Sequence, residues 1–284
     1  MLSETLKILN KEGIKLDKRK GQNYLVDENV LSRIIKSAEL SKKDTVLEIG
    51  PGIGTLTIPL AEKAGKVIAV EQDRKIAAIL IKRIKELHIT NVDVITGDAT
   101  KIEFPTFNKV VSNLPYQISS PITFKILEYN FELAILMYQL EFAQRMVAEP
   151  GDSNYSRLSV MMHFNANVHM LFNVSKNVFL PKPKVSSAVI KLTPKNVVET
   201  DKFVFNVTRA LFQHKRKKVR NALMDSFHEI ADLDKDERKN LISKLDLEVL
   251  DKRVINMEPE NIQKLSNELK EVMGGIIPEN QNKK

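Results

Sequence analysis

Apolar and polar positions alternate in two different rhythms along this chain. Short β-branched runs recur between longer segments whose apolar residues fall three and four apart. The runs Thr45–Ile49 (TVLEI), Val67–Glu71 (VIAVE), Val92–Thr96 (VDVIT), Lys109–Ser112 and Leu133–Tyr138 (LAILMY) predict strands. Thr55–Lys63, Asp73–Leu87 and Ser119–Tyr129 predict helices. In the second of these, Ile76, Leu80, Ile84 and Leu87 share one face. In the third, Ser119 or Ser120 is the expected N-cap, with Pro121 in the first turn. Strands alternating with helices predict βαβ units, hence an α/β fold with a mostly parallel sheet covered on both faces.

The rhythm then changes. Val168–Val174 and Val185–Leu192 predict two strands joined by the Pro-rich stretch Phe179–Lys184 (FLPKPK), an antiparallel hairpin at the sheet edge. After Pro194 the strands stop, and Phe203–Phe212, Val219–Phe227, Lys235–Leu245 and Pro259–Val272 all read as helices. The expected organisation is an N-terminal extension over 1–17, a catalytic domain over 18–195, a small all-α domain over 196–275 and a tail over 276–284, disordered from Pro278.

Composition narrows the chemistry. The chain has 284 residues and no cysteine, which excludes disulfides, thiolate nucleophiles and Cys-based metal sites. Its five histidines show no ligand spacing, so no metal is expected. No run approaches ~18 apolar residues, and residues 1–13 carry Glu4 and Glu12 without a cleavable signal pattern, so a reducing cytoplasm is the expected location. No long heptad or apolar seam appears, and a monomer is expected. The net charge is +8, which points to an anionic partner. The charge is uneven: residues 202–224 hold seven basic residues (Lys202, Arg209, Lys215, Arg216, Lys217, Lys218 and Arg220) and no acid. Such a run is either a solvated helix face or a phosphate-binding patch.

The first strand runs into Glu48-Ile-Gly50-Pro-Gly52-Ile-Gly54. Glycines there let the chain turn sharply and let backbone N–H groups approach a ligand. Thr55 stands where the third glycine of a dinucleotide fingerprint belongs, which weakens a nicotinamide or flavin reading. Glu71 ends the second strand, 21 residues after Gly50, where a carboxylate can accept both hydroxyls of a ribose. Asp98 follows the third strand and can accept from an adenine amino group. A glycine-rich loop, a Glu and an Asp on three successive strands resemble the S-adenosylmethionine (SAM) site of class I methyltransferases.

The fourth strand ends in Asn113-Leu114-Pro115-Tyr116. A tetrapeptide of this kind marks methyltransferases acting on exocyclic amino groups. Adenine N6 is a poor nucleophile because its lone pair is delocalised into the ring. Two acceptors, the Asn113 side-chain oxygen and the Leu114 carbonyl, can hold the two amino hydrogens and favour a pyramidal nitrogen. Pro115 stiffens the turn, and Tyr116 offers a face for a flipped base.

Upstream stands Lys20-Gly21-Gln22-Asn23-Tyr24-Leu25. With the motifs above, with Asn-Leu-Pro-Tyr-Gln-Ile-Ser-Ser-Pro-Ile (113–122), Phe179–Ala188 and the basic helix Arg209–Leu223, the chain resembles the ribosomal RNA adenine-N6,N6-dimethyltransferase family over about residues 18–275. The Ser-Ser-Pro and Met137-Tyr-Gln wording is closer to its archaeal and eukaryotic branch. The resemblance implies a class I SAM-dependent fold with a helical RNA-binding domain. It implies transfer of four methyl groups from SAM to two adjacent adenosines in the 3′-terminal hairpin loop of small-subunit rRNA, in an assembling particle. It implies SAM contacts at Asn23, Leu25, Gly50, Glu71, Asp98 and Asn113, and a second wall of the base pocket at Phe179, opposite Tyr116. RNA phosphates are then expected on Lys215, Arg216, Lys217, Lys218 and Arg220. The extension, with Leu2, Leu6 and Leu9 suggesting an amphipathic turn or two, has no family role. Alternatives are a methylase of the erythromycin-resistance type, a DNA adenine methylase, and a non-catalytic RNA-binding factor on this fold; the intact Glu71, Asp98 and Asn113 argue against the last.

Overall fold

The computed structural model describes residues 2–14, 23–195 and 201–274. Lys20, Gly21 and Gln22 of the upstream motif and the tail from Pro278 lie outside these residues. The chain divides into two compact units, Met1–Gln144 with Ala166–Pro194, and Arg145–Asn165 with Lys195–Lys284.

The first unit is a seven-stranded sheet with helices. Its chain order is α1 (Leu2–Lys11), β1 (Tyr24–Leu25), α2 (Glu28–Ser37), β2 (Thr45–Ile49), α3 (Thr57–Lys63), β3 (Lys66–Glu71), α4 (Arg74–Glu86), β4 (Val92–Thr96), β5 (Lys109–Asn113), α5 (Ser119–Leu127) and β6 (Leu133–Gln139). The chain crosses to the second unit within α6 (Leu140–Val147) and returns with β7 (Ala166–Val174), β8 (Phe179–Leu180) and β9 (Ser187–Pro194). The sheet order is β4-β3-β2-β5-β6-β9-β7. Pairing is parallel from β4 to β6, and β9 runs antiparallel to both neighbours. The connections diverge between β2 and β5, which makes a crevice at the C-terminal ends of those strands.

The strands form where the sequence places β-branched runs, because a parallel sheet covered on both faces accepts apolar side chains at successive positions. Val46, Leu47, Val67, Ile68, Val110 and Ile135 are all buried. The α4 helix starts at Asp73, whose carboxylate accepts from the N–H groups of Lys75 and Ile76, and it buries Ile76, Leu80 and Ile84. The third predicted helix starts differently from expectation. A 3-10 turn over Tyr116–Ile118 runs directly into α5, so Ile118 holds the cap position and Ser119 is already helical. The expected antiparallel pair stands at the sheet edge. β9 lies inside the sheet and β7 is the edge, while Phe179–Leu180 of the Pro-rich stretch leaves the sheet to pair with β1. The extension forms a ten-residue helix, α1, whose Leu9 packs with Tyr24, Ile53 and Ile79. Glu4 and Glu12 of the extension pair with Arg83 and Lys82 of α4, each at 2.7 Å.

The second unit is helical: α7 (Arg157–Asn165), α8 (Lys202–Gln213), α9 (Val219–Ser226), α10 (Lys235–Ile242), α11 (Leu247–Asp251) and α12 (Pro259–Gly274). Residues 145–165 belong here, not to the catalytic domain as the sequence suggested. Tyr155 and Val160 are buried in one cluster with Leu211, Leu223, Phe227 and Leu265, and the Tyr155 hydroxyl donates to the Met257 carbonyl at 2.8 Å.

Candidate active site

A cavity of about 470 Å³ opens where β2, β3, β4 and β5 end. Its wall includes Asn23, Gly50, Glu71, Asp98, Asn113, Leu114, Pro115 and Tyr116, eight of the ten residues expected for the cofactor and the chemistry. The size suits a single nucleoside-sized ligand.

The glycine-rich loop is tight for steric reasons. Gly50 has φ +71°, and a Cβ there would meet the Pro115 ring at 3.0 Å. Gly52 has φ +56°, and a Cβ there would meet the Tyr24 ring at 2.7 Å. Side chains at either position would push the loop off the two segments that face it. Glu71 is 9% exposed. Its Oε2 accepts from the Gly52 N–H at 3.2 Å and its Oε1 from the Asp73 N–H at 2.9 Å. Burial pushes this carboxyl above its ordinary value, against the backbone N–H groups of Asp73, Gly52 and Gln72, which pull it down. Each oxygen keeps a second lone pair for a ligand hydroxyl.

Asp98 is more open. Its Oδ1 accepts from the Thr100 hydroxyl at 2.7 Å and from the Thr100 N–H at 3.0 Å, and these bonds hold its pKa below the usual carboxylate value. Its Oδ2 has the exposed Lys101 ammonium at 3.6 Å. Asn113 is oriented by the upstream motif: its Nδ2 donates to the Asn23 carbonyl at 3.0 Å. That bond occupies the amide nitrogen and leaves Oδ1, an acceptor, without a protein partner among the described residues. The Tyr116 ring is anchored at its tip, where its hydroxyl lies 2.7 Å from the Ser187 hydroxyl.

Two expected site residues stand elsewhere. Leu25 and Phe179 are each 2% exposed and face each other across the β1–β8 pair, inside the apolar core. Neither borders the cavity. The Phe179 ring packs with Leu31, Ile34 and Val189 in that core. The Leu25 side chain packs in the core, while Asn23 and Tyr24 just before it line the crevice.

Glu48 was not singled out and belongs to the cavity wall. It is 2% exposed and its Oε2 has no hydrogen-bond partner among the described residues. Burial pushes its carboxyl up to about 8, with the Glu71 carboxylate acting in the same direction. The sequence held a signal for it, since Glu48 is the single charge in a strand otherwise read as core. Tyr24 and Gln117 also line the cavity; nothing in their spacing marks them.

The basic segment is not one helix. α8 ends at Gln213 and α9 begins at Val219. Between them the carbonyls of Lys215 and Lys217 accept from the N–H groups of Ile255 and Val254, so backbone pairing replaces the helix. Arg216 and Arg220 therefore do not share a helical face. Lys217 pairs with Asp225 at 2.6 Å, and Lys218 and Arg220 both reach Asp251. The Lys215 ammonium donates to the carbonyls of Ser153 and Tyr155. Of the five, Arg216 is the one whose side chain has neither an ion pair nor a hydrogen bond among the described residues, and it is exposed.

Comparison with known proteins adds four findings. A family model described as ribosomal RNA adenine dimethylase matches residues 13–260. A protein of Methanothermobacter thermautotrophicus described as a probable ribosomal RNA small subunit methyltransferase A is 52% identical over 275 residues, 96% of this chain and 98% of its own. A crystal structure of a dimethyladenosine transferase from Plasmodium falciparum is similar with a TM-score of 0.76 at 33% identity, covering 88% of this chain and 98% of that one. The crystal structure of the 23S rRNA methyltransferase ErmE is similar with a TM-score of 0.63 at 26% identity, covering 87% and 99%.

Proposed function

The chain belongs to the ribosomal RNA adenine dimethylase family, an rRNA adenine dimethyltransferase by that membership, and from this premise we propose that it dimethylates N6 of two adjacent adenosines in the 3′-terminal hairpin loop of small-subunit rRNA. The observation that carries the reading is the convergence of Gly50, Glu71, Asp98 and Asn113–Tyr116 on one crevice. The small-subunit substrate is favoured by the 52% identity to a relative described as a small-subunit enzyme, against 26% to ErmE. The proposal places the reaction in the cytoplasm, on an assembling ribosomal particle, by a monomer.

The crevice fits SAM on its own chemistry. Glu71 presents two acceptors for ribose hydroxyls, Asp98 one for an adenine amino group, and the loop at Gly50 and Gly52 closes without side chains in the way. SAM supplies a methyl group on a sulfonium, already a strong electrophile, so the protein has only to position the nucleophile. Asn113 Oδ1 accepts one N6 hydrogen and the Leu114 carbonyl the other. Both acceptors strengthen as the nitrogen becomes pyramidal and gains positive charge, which places their effect in the transition state. The methylated ammonium is a strong acid and loses its proton to water, so no general base is required. Tyr116 holds the extruded base by stacking, which offsets the few kcal/mol of unstacking a loop adenosine.

Single-turnover methylation of small-subunit rRNA at saturating SAM tests the assignment. Asn113→Ala should slow the step by roughly 10²–10³-fold, the range for removing one acceptor or donor aimed at developing charge. SAM affinity should fall far less, through the lost bond to the Asn23 carbonyl. An unchanged single-turnover rate in the folded variant contradicts the reading.

A further inference from the structure

We propose that Ser187 is a positioning residue for the base-stacking ring of Tyr116. The inference rests on the reading of Tyr116 as the stacking surface. Ser187 opens β9, where it lies opposite Gln139 of β6 and Val174 of β7, and it is completely buried. β6 separates β9 from β5, whose last residue is Asn113. The Tyr116 side chain therefore reaches past the end of β6, and its hydroxyl meets the Ser187 hydroxyl at 2.7 Å.

A stacking residue works only if its ring plane is held. Tyr116 has two free side-chain torsions, and its backbone lies in a short 3-10 turn. That turn closes through the Ile118 N–H on the Pro115 carbonyl. The hydroxyl bond adds a third fixed point at the far end of the ring, on a strand hydrogen-bonded on both sides. The start of β9 and the Asn-Leu-Pro-Tyr turn are thereby joined through Ser187 and Tyr116, while Phe179 of the Pro-rich stretch stays in the core.

If Ser187 acts through the phenol tip alone, losing either hydroxyl has the same effect, and losing both adds nothing. The test is a double-mutant cycle on kcat/KM for small-subunit rRNA at saturating SAM, with folding of each variant checked by thermal melting and SAM affinity by calorimetry. Ser187→Ala and Tyr116→Phe should each lower kcat/KM by about 3–10-fold, the range of one hydrogen bond. The double variant should match the single ones, and SAM affinity should stay at the parent value in all three. A Ser187→Ala loss that persists in full on top of Tyr116→Phe overturns the proposal, since serine then acts through general packing. Tyr116→Ala separates the two levels. If it cripples methylation while Ser187→Ala has no effect, the positioning role fails and the stacking role stands. If Tyr116→Ala methylates at the parent rate, the stacking role itself fails.

Discussion

Glu71 is fixed in place by backbone donors. Its oxygens are pinned by the N–H groups of Gly52 and Asp73, one from the glycine-rich loop and one from the start of α4. A ribose bound there meets acceptors that need no rearrangement. Glu71→Ala should weaken SAM binding by about 1–3 kcal/mol in calorimetry, the cost of leaving buried donors unpaired. Asp98→Ala should cost less, because its side chain is 28% exposed and its Oδ1 already serves Thr100. Unchanged affinity in both variants contradicts the cofactor site. Glu48 gives a pH dependence. Its folded pKa of about 8 lies above the ordinary 4.5, so the folded protein holds a proton that the unfolded chain releases. That contribution to stability is complete below pH 4.5 and is lost as pH rises to about 8, with a limiting slope of ~1.4 kcal/mol per pH unit. Glu48→Gln should therefore gain on the parent in melting temperature as pH rises from 5 to 8, in the absence of SAM. A constant difference between the two proteins across that range contradicts a buried neutral carboxyl. At this scale the sequence was most informative where chemistry demands a residue type. Glycines, Glu71, Asp98 and the Asn113 turn could be read because few structures need them together. Leu25 and Phe179 could not, because which face of a two-residue strand looks into the cavity is decided by the β1–β8 pairing, between residues 154 or more positions apart.

Elements were legible where one rhythm persisted. β2 to β6 and α4 have long runs of a single period, and their predicted ends lie within one or two residues of those observed. β8 was hidden because two residues carry no period, and α7 because its apolar residues point in several directions. The basic segment misled for a physical reason. Charges at helical spacing look like a helix face, whereas Lys215 and Lys217 spend their carbonyls on the N–H groups of Ile255 and Val254. The consequence for RNA binding is specific. Lys217, Lys218 and Arg220 are partly neutralised by Asp225 and Asp251, and exposed pairs of this kind contribute little on their own. Arg216 is the residue whose loss should count. Arg216→Gln should weaken binding to small-subunit particles and lessen the salt slope of log K by ~0.7–0.9, one phosphate contact. Its SAM affinity should not change. An unaltered salt slope contradicts a phosphate contact at Arg216.

The whole molecule departs from the expected order of domains in one respect. The helical unit takes residues 145–165 from the middle of the chain, and the sheet is completed only afterwards, by β7 and β9. The rhythm of the sequence shows where strands end but not which core a helix joins, since an apolar face packs equally well on either. Ser187 comes with this late return of the chain, so the catalytic unit is complete only with residues 166–194. The central claim, SAM-dependent dimethylation of two neighbouring adenosines, is tested most directly by mass spectrometry. Small-subunit rRNA lacking base methylation, in small-subunit particles, is incubated with the protein and SAM and then digested and sequenced by mass. The account predicts two adjacent N6,N6-dimethyladenosines in the 3′-terminal hairpin loop, four added methyl groups in all. Methylation confined to another RNA or to a single adenosine, or none at all with SAM bound, contradicts it.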